Sequence, residues 1–159
     1  MIKIHTPGDG HITPIFAGFK WDAFSDATMK KIVEDAIHIL KNNIKGMKPC
    51  NDCFTKLPNG RTFDDILDDS SVYISYDPNN GGALFGATLG KNVSITRFAL
   101  RMGKWTAAAT LVHELAHVNG APGDDHQAEA TLLCCGLSNI HDASIIGVVS
   151  GSRGDTRIA

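Results

Sequence analysis

The order of its elements predicts a single α+β domain: one amphipathic helix, then three strands, then two helices joined by a tight glycine turn. Two observations carry that prediction. Apolar residues at Ile32, Val33, Ala36, Ile37, Leu40 and Ile44 recur at spacings of three and four, the period of a helix with one buried face. Ser71 to Tyr76 instead alternates and is rich in β residues, and Asp77-Pro-Asn-Asn-Gly-Gly closes it with a strong turn signal. The 159 residues contain no repeat and no linker, so they are read as one domain spanning 1–159.

Taken in order, residues 1–24 are rich in Gly, Pro and short apolar pairs and read as an irregular or short-stranded entry. Ser25 is the expected N-cap of the first helix, with Asp26 set well against the helix dipole and the end near Asn43 and Gly46. Pro49 to Gly60 reads as a turn-rich loop, and Thr62 to Asp69 as a short acidic helix. After the Ser71–Tyr76 strand come two more, over Ala83–Leu89 and Asn92–Arg101. Thr106 is the expected cap of a helix through Leu111, Leu115 and Val118, which Gly120 ends in the left-handed C′ position and Pro122 forbids from continuing. Asp124 can cap a last helix through Leu132 and Leu137, and the Gly/Ser-rich tail, 142–159, is expected to fray.

Composition narrows the function classes. With 43% apolar and 20% charged residues the chain is no disordered tail, and a net charge of −2 argues against a general nucleic-acid partner. No apolar run approaches the roughly 20 residues of a membrane span, so no membrane partner is expected. The N-terminus shows no charged and apolar leader, so export is expected to need another route or a larger secreted parent. Of 17 acidic residues only three are glutamates, Glu34, Glu114 and Glu129, and two of these fall in one histidine-rich window.

That window begins at His113-Glu114-Leu115-Ala116-His117, an HExxH pattern. Residues four apart share a helix face, so both imidazoles can reach one ion about 2 Å from each nitrogen. Glu114 lies one step round, placed to hold a metal-bound water whose pKa zinc lowers towards ~7, and to take its proton during attack on a carbonyl. A catalytic zinc needs a third protein ligand and an open position. His126 is the leading choice for that ligand. Glu129 can ligate instead or orient His126, and Asp125 and Asp124 are further alternatives, Asp124 being equally explained as a cap. Tyr73, Tyr76, His141 and Arg153 are available to stabilise a developing oxyanion.

His113-Glu-Leu-Ala-His117-Val-Asn-Gly120 resembles the active-site helix of zincin metallopeptidases, and its His-x-x-Gly continuation is similar to that of metzincins. The longer stretch through His126-Gln-Ala-Glu-Ala-Thr-Leu-Leu-Cys-Cys-Gly136 resembles small zincin domains of bacterial secreted or Rhs-type toxin proteins. The resemblance implies a zincin-like fold, a mixed sheet with an active-site helix and a following C-terminal helix. It also implies Zn2+, peptide or protein substrates, and an edge strand, here Asn92–Arg101, that pairs with them. The chain departs from metzincins in having Gly123 where their third histidine stands, and in lacking a later methionine turn. Two rivals remain: a metal hydrolase of RNA-processing type, and a non-catalytic module in which zinc pins two helices together.

Cys50-Asn-Asp-Cys53 and Cys134-Cys135 supply four thiols. Adjacent cysteines suit one tetrahedral ion poorly, so the alternatives are disulfides fastening the loop to the last helix, or reduced thiols packed in the core. Asn92-Val-Ser94 fits a glycosylation sequon, Arg153-Gly-Asp155 is a short match of the kind chance supplies, and His5, His11 and His38 read as solvated.

Overall fold

The computed structural model describes residues 1–15, 20–81, 84–123 and 127–137. They form a small α+β domain around a mixed sheet of four strands in the order β1-β2-β4-β3. β1 (Lys3–Ile4) and β4 (Asn92–Thr96) run parallel to β2 (Tyr73–Asp77) on its two sides. β3 (Gly86–Leu89) pairs antiparallel with β4 through the two-residue turn Gly90-Lys91 and forms the edge. β4 is therefore an internal strand, and the edge expected at Asn92–Arg101 belongs to β3 instead.

Alternation gives the sheet two unlike faces. Ile74, Val93 and Ile95 turn one way and are fully buried, whereas Tyr73 and Asn92 turn to the other face, where the entry segment lies across them. His11 stacks on the Tyr73 ring at 3.8 Å and its Nε2 meets Asn92 Oδ1 at 2.8 Å. His5 is buried, its Nδ1 lying 3.0 Å from both oxygens of Asp9, and this contact holds the Asp9 carboxyl well below the usual range. Two of the three histidines read as solvated are thus fasteners, and His38 alone is exposed. With Asn92 bonded and Ser94 fully buried, the sequon is part of the sheet.

The helices pack on the apolar face. α1 (Ala27–Ile39) is capped by Asp26, not Ser25, and runs on into a wider π-turn over Leu40–Ile44. α2 (Lys48–Thr55) occupies the stretch read as a loop: Pro49 sits in its first turn, where the missing N–H costs no bond. α3 (Phe63–Leu67) is capped by Thr62. β4 is shorter than its apolar run suggests, because the Thr96 side chain accepts from Ala99 N and starts α4 (Arg97–Arg101). α5 (Lys104–Val118) begins at Gly103, so Thr106 lies inside it, and Gly120 follows its end at φ +92°. α6 (Gln127–Cys134) returns towards α2.

α5 is buried almost all round because it lies between the sheet, α1 and α6. Leu111 and Leu115 are fully buried in its core face, and truncating either to Ala is expected to cost roughly 2–5 kcal/mol. No helix among the described residues is long and apolar enough to cross a membrane.

Candidate functional site

The last two turns of α5 carry the polar window into the interior. His113 and Glu114 are 3% and 0% exposed, and His117 reaches the half-open surface one turn later. The two imidazoles meet edge to face with ring centres 4.9 Å apart and their Nε2 atoms 3.2 Å apart. His117 Nδ1 donates to the carbonyl oxygen of Ala121 at 2.6 Å, which fixes its proton there. Neutral His117 then offers an Nε2 lone pair, and His113 Nε2–H donates to it.

Glu114 points the other way, into the seam between α5 and β3. The Thr88 hydroxyl donates to Glu114 Oε1 at 2.7 Å, while Oε2 is buried with no hydrogen-bond partner. Burial pushes this carboxyl well above the usual carboxylate range, and the Thr88 bond pulls only partly back. Gly86 makes the close approach possible. A Cβ there would stand 2.7 Å from the Ser94 carbonyl oxygen, 3.0 Å from Thr110 Cγ2 and 3.2 Å from Glu114 Cγ. Gly86 and Thr88 share the face that meets α5, one spacing helix and strand and the other holding the acid.

Beside this seam lies a cleft of about 550 Å³, lined by Thr88, Leu89, Lys91, His117, Ala121 and others. Its far wall is set by Asn119, a fully buried residue at the end of α5. The Asn119 amide donates to the carbonyls of Phe54 and Arg61 at 2.8 Å each and accepts from Arg61 N, tying α5 to the 54–61 stretch. On the near side Lys91 bonds Asp69, which Arg61 and Ser71 also reach. Neither Thr88 nor Asn119 carries a motif, although the alternation of Gly86-Ala-Thr-Leu places Gly86 and Thr88 on one face and is the signal that finds Thr88.

Among the described residues no group of three or more His, Cys, Asp or Glu side chains is placed to hold a metal ion. The expected zinc centre is corrected accordingly. With it go the zinc peptidase and its zincin resemblance, the RNA-processing metal hydrolase and the zinc-pinned module, all of which require that ion. Helical spacing brings His113 and His117 together, but it says nothing of a third donor, and Glu114 is turned onto Thr88 instead. The role expected of Glu114, acting on a metal-bound water, depended on the same ion. Glu129 lies half-buried in the first turn of α6, while Asp124, Asp125, His126, His141 and Arg153 lie outside the described residues. Tyr73 stacks with His11 on the opposite face of the sheet, and Tyr76 packs on Phe24 at 5.5 Å, so neither lines the cleft.

What holds α6 to the body is covalent. Cys50–Cys135 and Cys53–Cys134 are both disulfides, joining one face of α2 to the end of α6. No protein-family model, no curated protein and no solved structure matches the chain.

Proposed function

We propose that this domain binds an extended polypeptide segment, which adds as a further strand to the outer edge of β3 and sets a side chain into the neighbouring cleft. The observation that carries this is the orientation of the β3 backbone. Thr96 N donates to Phe85 O at 3.0 Å, so alternation along the antiparallel ladder turns Ala87 and Leu89 towards β4 and Gly86 and Thr88 outwards. Two N–H and two C=O groups thus face the outside beside the cleft, on a strand held rigidly by α5. Such an edge supplies main-chain hydrogen bonds, and the adjoining pocket supplies side-chain selectivity. Lys91 at the mouth favours an acidic or C-terminal carboxylate group, and the apolar Leu89, Val118 and Ala121 a short aliphatic one.

Selection from a displayed library of unstructured peptides, followed by amide exchange on the complex, tests it. Bound peptide is expected to slow exchange at Gly86 and Thr88 by at least about tenfold, with Ala87 and Leu89 already protected in the free domain. No peptide bound at millimolar concentration, or binding that leaves the Gly86 and Thr88 amides unchanged, would overturn the proposal.

A further inference from the structure

The two disulfides differ in what surrounds them. Cys50 and Cys135 are 0% and 2% exposed, packed into the core beside Phe54, whereas Cys53 and Cys134 are both half-exposed at the outer side of the α2–α6 junction. The i and i+3 positions of α2 set one sulfur inward and one outward, and the adjacent pair at the end of α6 answers each. Access of an attacking thiolate governs which disulfide exchanges, so the outer bond can be reached in the folded protein and the inner one only after opening.

We propose that Cys53–Cys134 is a redox-sensitive latch on α6, opened by an external dithiol while Cys50–Cys135 remains as the permanent link. The step balances without any further reagent. A thiolate of the dithiol attacks one sulfur of the outer disulfide, a mixed disulfide forms, and the departing sulfur takes up a proton. The second sulfur of the reductant then displaces the remaining protein thiol. The domain gains two electrons and two protons, and the dithiol leaves as its cyclic disulfide.

The latch matters because α6 has little else to hold it. Its eight residues bury only Ala128, Thr131 and Leu132, too small a face for a short helix to stand on without its staples. One remaining link anchors only the C-terminal end of α6, so its first turn is freed. That turn follows the Ala121–Gly123 rim of the cleft, which His117 holds through the Ala121 carbonyl. The proposal does not rely on peptide binding, since both of its readouts are made on the free domain.

The experiment is limited reduction of the oxidised domain with dithiothreitol at neutral pH, alkylation, and mapping of the labelled cysteines, with amide exchange measured on the same sample. The expected product carries label on Cys53 and Cys134, keeps Cys50–Cys135, and exchanges at least about tenfold faster in α6 than in α5 relative to the oxidised form. A Cys53→Ser/Cys134→Ser variant is expected to show the same acceleration with no reductant present. Four thiols appearing together, label at Cys50 and Cys135 first, or unchanged α6 exchange after outer-bond loss would each overturn the latch.

Discussion

Removing the disulfides one at a time and then together should give losses that do not add. Cys50–Cys135 closes a sequence separation of 85 residues and Cys53–Cys134 one of 81. In the chain-entropy treatment either bond alone constrains the unfolded chain by about 4.5 kcal/mol at 25 °C. Once one is in place, the other closes only the small ring made of residues 50–53 with Cys134 and Cys135, and the same relation gives about 2 kcal/mol. Cys53→Ala/Cys134→Ala should therefore cost about 2 kcal/mol, and Cys50→Ala/Cys135→Ala about 1 kcal/mol more for lost core packing. The fourfold Ala variant should lose about 7 kcal/mol, well above the sum of the two. Equilibrium urea unfolding without reductant, followed by the fluorescence of Trp21 and Trp105, measures all four proteins. A fourfold loss equal to the sum of the paired losses would refute the reasoning. So would a single pair that costs as much as the fourfold change.

Other changes test other parts of the molecule. Gly86→Ala forces a Cβ against a backbone oxygen at 2.7 Å, so it should destabilise by about 1–3 kcal/mol in thermal unfolding; an unchanged midpoint would mean that α5 and β3 are not in close contact there. Asp69 is held well below the usual carboxylate range, first by the Ser71 hydroxyl and then by Lys91, with Arg61 adding to both. Because its folded pKa is depressed, its contribution is present above the unfolded value of about 4 and is lost as pH falls. Asp69→Asn should therefore cost about 1 kcal/mol at pH 7, and the gap should close when unfolding is measured progressively below pH 4; a gap independent of pH would contradict the assignment. As a last test, two imidazoles are fewer than the three ligands of a catalytic zinc, so dialysed protein should hold well under one equivalent by elemental analysis, with no thermal shift on adding EDTA. One retained equivalent per chain would reverse the correction made at this site and place a further donor from outside the described residues beside His113 and His117.

Local signals were the legible ones. The three-and-four spacing of Ile32 to Ile44 is a property of one segment and marks α1, and Gly120 marks the end of α5 because a positive φ at C′ is set by the residue itself. The elements that were misread depend on partners distant in sequence. Lys3–Ile4 is a strand only because β2 offers an edge to it, and Asn92–Arg101 divides at Thr96 because that side chain caps a helix whose Ala99 and Leu100 the core buries. Pro49 punctuates a loop and opens a helix with the same missing N–H, and only the burial of Cys50 and Phe54 decides between them. His5 and His11 show no periodicity, and their partners Asp9, Asn92 and Tyr73 come together only once the entry segment crosses the sheet.

The same division explains the site. An i, i+4 histidine pair specifies one thing, that two imidazoles face one another on a helix, and His113 and His117 do so at 3.2 Å. What surrounds such a pair is decided by other elements, and here β3 takes the glutamate that the motif assigns to chemistry. A carboxyl buried as fully as Glu114, with one hydrogen bond and one bare oxygen, costs free energy that an apolar side chain would not. Leu, Val or Met at position 114 would fill the seam under Gly86 and Thr88 at no such cost. Local rules are broken in this way mainly where function requires it. The breach lies directly beneath the one stretch of β3 whose backbone turns outward, so the polar window and the open edge form a single functional surface, and a ligand on Thr88 is the means by which Glu114 would be felt.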